Sequence, residues 1–275
     1  DFFTFHAVPN HIEMKNNKND MACRYYAESI CKLLENTLYQ LKAAGGQADL
    51  RRREEIFLTD WNTLFGENKV LSGSFFRAAL IVENIIHLNQ KVDGIGYWLN
   101  MKSQSRENKG LEGGGILSLF AMYERIKRPL YYCLYFMGKL GTEMLSKEEG
   151  YLLTREGNQI QLLLYNSNYL DPACSVDEYL LKSQSKEVTA VLKGVAKGEY
   201  KVRQYDLNKD KGGIYNDFLR VGGDTIWDNE TREYLEKVIF PKFMIEKIEA
   251  ENNEIIFKSI LTLNACKLYV LDPLY

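Results

Sequence analysis

Apolar positions along the first half of this chain fall in two rhythms, and along the second half in one. Asp1 to Ala7 (Asp-Phe-Phe-Thr-Phe-His-Ala) is aromatic-rich, too short for a helix and stopped by Pro9-Asn10, which predicts a buried strand with His6 at its C-terminal end. Between Asp20 and Ala44 the apolar residues Cys23, Tyr26, Ile30, Leu33, Leu34, Leu38 and Leu41 lie near helical spacing, and Gly45-Gly46 closes the segment. A second strand (Glu55 to Asp60), a second helix (Ser72 to Asn89) and a third strand (Gly94 to Leu99) follow, and then a helical stretch from about Leu117 to Leu140 that is interrupted at Lys127-Arg-Pro129. The resulting βαβαβ order predicts a parallel sheet covered by helices, about half of an eight-stranded barrel.

From about Leu145 onward the helical rhythm gives way to strand-length runs: Tyr151 to Thr154, Gln159 to Tyr165, Glu199 to Tyr205 and Glu254 to Ile260. Glu199 to Tyr205 alternates charged and apolar side chains, the pattern of a sheet with one wet and one packed face. The fold expected is therefore α/β plus all-β: the C-terminal part of a (β/α)8 barrel over residues 1–145, then a β-sandwich over 146–275 with one short surface helix at Thr231 to Val238. No low-complexity linker separates the two parts, so they are expected to pack together. The run Tyr131, Tyr132, Tyr135 and Phe136 has helical spacing and is expected to seal that junction, while Lys209 to Gly213 reads as a solvated turn.

Composition narrows the function classes. Thirty-five Lys and Arg against 37 Asp and Glu leave a formal charge of -2, so these residues offer no basic field for a nucleic-acid backbone. Five cysteines (Cys23, Cys31, Cys133, Cys174, Cys266) are scattered without any C-x-x-C pair, which argues against a zinc site or a disulfide scaffold and favours the reducing cytoplasm. No apolar run reaches the roughly 20 residues of a membrane helix. Gly113-Gly-Gly115 lacks the endings of a phosphate-binding loop and reads as a turn, so neither cofactor nor metal is expected. Nothing at the start resembles a signal peptide, yet the chain opens on Asp1 inside an apolar run, without an initiator Met, as an excised piece would.

In a βα barrel the chemistry sits at the C-terminal ends of the strands, which here carry His6, then Asp60 with Trp61 and Asn62, then Tyr97 with Trp98. Aromatic faces meet the C–H surfaces of sugars, and carboxylate, amide and imidazole groups meet their hydroxyls, so this set suits a carbohydrate. Taken singly, each residue reads first as structure: His6 as a satisfied core histidine, Trp61 and Trp98 as packing.

The run Leu58-Thr-Asp-Trp-Asn-Thr63, followed by Gly96-Tyr-Trp98 and Gly113-Gly-Gly-Ile-Leu117, resembles glycoside hydrolase family 39, the β-xylosidase and iduronidase family. The resemblance continues through Arg128 to Tyr132, Leu140 to Leu145, Leu153 to Arg155 and Gly198 to Arg203. It implies a (β/α)8 barrel with an accessory sandwich, entered here at the sixth strand, and retaining hydrolysis of β-glycosides by two glutamates. The acid/base glutamate belongs to the fourth strand, outside these residues. The nucleophile position, at the end of the seventh strand, matches Asp60, where the family has glutamate. Trp98 matches the aromatic platform ending the eighth strand, and His6 a pocket histidine on the sixth.

Two departures bear on activity. Retention needs the two carboxyl groups about 5 to 5.5 Å apart, and Asp withdraws its carboxylate by one methylene, a displacement of the size that costs on the order of 10²-fold in rate. After Trp98 the family's acidic stretch is replaced by Leu99 to Glu107, with Lys102 and Arg106. Glu67 offers an alternative carboxylate from the following loop, or is simply exposed. Two functions stay open. One is a sugar-binding module that senses a β-xyloside or short oligosaccharide with weak or no hydrolysis, fused behind an AraC-type DNA-binding domain. The other is an active retaining β-xylosidase with Asp60 as nucleophile and an acid/base glutamate in an N-terminal half. Either implies contact with another chain or with the rest of the barrel, and DNA contact only through a preceding domain.

Overall fold

The computed structural model describes residues 2–7, 36, 39, 55–61, 75, 78–89, 91–97, 127–168, 177–213, 215–221 and 228–274. The first part is a parallel sheet of three strands in the order β1 (Phe2–Ala7), β2 (Glu55–Trp61), β3 (Gly94–Tyr97). Helix α1 (Ala78–Leu88) connects β2 to β3, and α2 (Pro129–Met137) follows with proline in its first turn, where the missing N–H costs nothing. The predicted helix 20–44 lies outside the described residues except for Asn36 and Tyr39, both helical and exposed, and residues 98–126 lie outside them altogether.

The second part is all antiparallel. Six strands, β4 (Glu143–Glu148), β5 (Tyr151–Glu156), β6 (Gln159–Tyr165), β8 (Gly198–Leu207), β9 (Lys242–Ala250) and β11 (Cys266–Leu274), form one sheet in the order β4-β5-β6-β11-β8-β9. β7 (Lys186–Lys193) and β10 (Glu254–Leu261) form the other. Asn252 and Asn253, both with positive φ, turn β9 into β10, a backbone conformation that Asn tolerates. Short helices α3 (Glu178–Ser183), α4 (Tyr215–Arg220) and α5 (Asn229–Val238) cover the flanks.

The strand period sorts the six-stranded sheet into two packed faces. Leu162, Leu164, Tyr200, Val202, Tyr269 and Leu271 pack against Leu192, Ile255, Phe257 and Leu261 of the β7–β10 sheet, closing the sandwich. On the opposite face, Leu152, Leu163, Tyr205, Leu207, Cys266 and Leu268 meet Ala78, Ala79 and Val82 of α1 and Tyr132, Cys133 and Phe136 of α2. The other sides of both helices, through Ile81, Leu88 and Leu130, cover Leu58 of the parallel sheet. Four layers result: parallel sheet, helix pair, six-stranded sheet, two-stranded sheet. A helix walled on two sides must be apolar almost all round, and α1 and α2 are. Tyr132 and Phe136 thus seal the junction as their spacing predicts, with Tyr135 and Phe136 meeting Tyr205 at 6.1 and 5.8 Å between ring centroids.

Lys209 departs from its reading as part of a solvated turn. Its side chain is only 14% exposed and pairs with Glu178 of α3, and Gly212 and Gly213 beside it are buried. Asp210 and Lys211 in the same turn remain exposed.

Candidate functional site

The parallel sheet brings the C-terminal ends of its strands side by side. His6 of β1 is in register with Asp60 of β2, Ala7 with Trp61, and Trp61 with Tyr97 of β3. Four of the six residues singled out in the sequence therefore occupy neighbouring backbone positions along one sheet end. Asn62 and Trp98, the next residues along β2 and β3, lie outside the described residues, as do Glu67, Lys102 and Arg106.

The central strand is irregular at this point. Phe5 pairs with Leu58 but His6 pairs with Asp60, and on the other side Leu58 pairs with Ile95 but Trp61 with Tyr97. β2 carries an extra residue against both neighbours, a β-bulge immediately before Asp60. Bulges interrupt pairing and re-aim the chain beyond them, and they recur beside active sites.

Gly96 on β3 makes the bulge sterically feasible. A Cβ at that position would stand 2.4 Å from the carbonyl oxygen of Thr59, well inside any real contact, so the bulged peptide is accommodated only where its neighbour has no side chain. Sequence reading passes over Thr59 and Gly96. The available signal is the glycine itself, inside a four-residue strand and one position before an aromatic.

The opposite end of the sheet is pinned. Asp93 accepts a hydrogen bond from Ile56 N–H at 2.9 Å through its carboxylate and donates its own N–H to Ile56 carbonyl oxygen at 2.7 Å. Leu58 at the middle of β2 is fully buried under the helices. The strand ends bearing His6, Asp60, Trp61 and Tyr97 thus project from a fixed base. Among the described residues no three His, Cys, Asp or Glu side chains gather into a metal-binding group, and no helix is long and apolar enough to cross a membrane. Cys133 and Cys266, the two described cysteines, are free and buried.

A parallel sheet packed through two helices onto an antiparallel sandwich is a fold shared with part of the family 39 glycoside hydrolases. The structure superposes on the family 39 enzyme of Xanthomonas axonopodis pv. citri with a TM-score of 0.75 and 13% identity, over 100% of this chain and 55% of that one. On a monomeric β-xylosidase of Caulobacter crescentus CB15 the values are 0.72 and 16%, over 90% and 50%. In sequence the chain is similar to an uncharacterized HTH-type transcriptional regulator of Staphylococcus aureus strain COL, 26% identical over 250 residues, 90% of this chain and 33% of the regulator. No family model matches. The chain spans about a third of the length of the curated relatives it matches and about half of the enzymes whose fold it shares. The chain thus shares the fold of about half of each of these enzymes, while the sequence relatives it matches are named as regulators.

Proposed function

We propose that this chain is the sugar-binding module of an AraC-type transcriptional regulator, recognising a β-xyloside or related sugar and hydrolysing it weakly or not at all. Residues 1–145 would form the C-terminal part of a (β/α)8 barrel completed by preceding sequence, and 146–275 its accessory sandwich. The observation that carries the reading is the contrast between relatives. Sequence similarity to a helix-turn-helix regulator runs through 90% of the chain at 26% identity, while similarity to the hydrolases is one of fold, at 13% and 16%.

In this reading Asp60, Asn62 and His6 hydrogen-bond the hydroxyls of the sugar, and Trp61, Tyr97 and Trp98 supply the aromatic surface for its C–H faces. The register of β1, β2 and β3 supports the grouping, and the bulge at Thr59 sets where Asp60 stands. A carboxylate one methylene short of glutamate still accepts hydrogen bonds while reaching the anomeric carbon poorly. Sugar binding then biases a DNA-binding domain elsewhere in the protein through differential affinity for its two states. No cofactor is required, and the protein works in the cytoplasm, with its DNA. The fold shared with a β-xylosidase favours a second reading, an active retaining enzyme with Asp60 as nucleophile.

The test is hydrolysis of an aryl β-xyloside by the full-length protein and its Asp60→Ala and Asp60→Glu variants. An activated leaving group needs little protonation, so the assay isolates the nucleophile. The sensor reading expects no turnover in the parent and its appearance in Asp60→Glu. Turnover in the parent that disappears in Asp60→Ala would replace it with the enzyme.

A further inference from the structure

The helix-covered face of the six-stranded sheet changes character along its length. One cross-strand row, Leu152–Leu163–Leu268–Tyr205, is apolar and lies in the core under α2. The next row on that face, in register, is Thr154–Gln161–Val270–Arg203. The one after holds Glu156 opposite Gln159, with Asp272 opposite Lys201. The polar rows begin where α2 ends, and its C-terminal loop stands over them, leaving a cleft of about 420 Å³.

The floor of the cleft is a connected network. Gln161, fully buried, accepts from Thr154 Oγ1 at 2.9 Å and Gly141 N–H at 3.0 Å, and donates to Gln159 Oε1 at 2.8 Å. Gln159 donates to one oxygen of Asp272 at 2.5 Å, and Arg203 Nη2 to the other at 2.7 Å. At the rim Glu156 accepts from the N–H and hydroxyl of Thr142 at 2.9 and 2.8 Å, which hold its carboxyl below the usual carboxylate range. Lys139 is held over the Tyr135 and Tyr205 rings at 4.3 and 5.3 Å. One donor is left over: Arg203 Nε–H is buried and has no acceptor among the described residues.

We propose that this cleft is a second binding site, for a neutral saccharide of one or two rings, separate from the ends of β1, β2 and β3. The volume matches such a ligand. Amide, guanidinium and carboxylate groups, already oriented by one another, offer the mixed donors and acceptors that sugar hydroxyls require. Arg203 is paired with Asp272, which lies behind the lining, and the lining also carries Lys139 and Glu156, one charge of each sign. Leu140 and Val270 provide apolar contact for ring C–H groups. Gly141 anchors the loop between α2 and β4 to this network, so a ligand here would touch the covalent connection between the two parts of the fold.

The experiment is methyl NMR on the full-length protein titrated with xylobiose, reading Leu140 and Val270 in the parent, Arg203→Lys and Gln159→Leu. Arg203→Lys keeps the charge pairing with Asp272 but loses the fork, and thermal melts verify that both variants fold. Xylobiose is expected to shift both methyls, with binding about tenfold weaker in each variant and unchanged in Asp60→Ala. Methyls that stay still under millimolar xylobiose, or that respond to inorganic phosphate or glucuronate instead, would overturn the proposal. Because the reporters sit away from Asp60, failure here leaves the reading of the barrel strands standing, and the converse holds.

Discussion

An absent side chain shapes the strand ends of the candidate site, and a half-buried carboxyl ties the helix layer to the sandwich. Gly96 is the neighbour that admits the Thr59 bulge, so Gly96→Ala forces a Cβ to within 2.4 Å of a backbone oxygen. The expected cost is about 1–3 kcal/mol, the range of overpacked interiors, seen as a lower melting temperature together with weakened sugar binding, because Asp60 shifts with the bulge. Glu83, on α1, donates nothing and accepts from Ser167 Oγ at 2.5 Å, joining the helix layer to the segment after β6. Burial raises its pKa above the ordinary value of 4.5, against the lowering effect of the Ser167 hydroxyl. A carboxyl whose folded pKa is raised binds its proton more tightly when folded, so its contribution is fully present below the unfolded pKa and is lost as pH rises through the folded one. Melting temperatures of the parent minus Glu83→Gln, measured from pH 4 to 7, are therefore expected to fall as pH rises. A difference that stays flat or rises would contradict the assignment.

Elements were legible in the sequence to the degree that their environment is one-sided. β10, whose buried and exposed positions alternate, carries the two-residue period of a strand packed on one face, and α5, whose cap Asp228 accepts from Thr231 N–H at 2.7 Å, follows ordinary helix signals. Asp228→Ala is expected to lower the denaturation midpoint by removing the cap. Four strands, β4, β7, β9 and β11, escaped notice, and two of them have ambiguous patterns. β9, at the edge of its sheet, is exposed on both faces over most of its length, so Lys242 to Glu249 has no period to find. β11 is the reverse, a central strand buried on both faces from Cys266 to Leu271. The register at the site was not legible because an extra residue on one strand leaves the hydrophobic pattern of Phe57 and Leu58 untouched. Helix α2 is where elements meet. Phe136→Ala removes a fully buried ring between α2 and Tyr205, and the expected loss of about 3–5 kcal/mol in chemical denaturation would unseat the helix layer from the sandwich.

At the scale of the whole molecule, the four layers make the site and the sandwich a single mechanical unit. The parallel sheet rests on α1 and α2, and these rest on the six-stranded sheet, with apolar contacts at each boundary. In the sensor reading proposed above, a ligand at the ends of β1, β2 and β3 would be linked to the sandwich through these packed side chains. An enzyme needs the same scaffold but also two carboxyl groups about 5 to 5.5 Å apart, and the position expected to hold one of them is Asp60. Isothermal calorimetry of the full-length protein with xylobiose, followed by analysis of the sugar recovered from the cell, separates these most directly. The account expects saturable binding heat and xylobiose returned intact. Conversion of most of the xylobiose to xylose during the titration, or the absence of any binding, would contradict it.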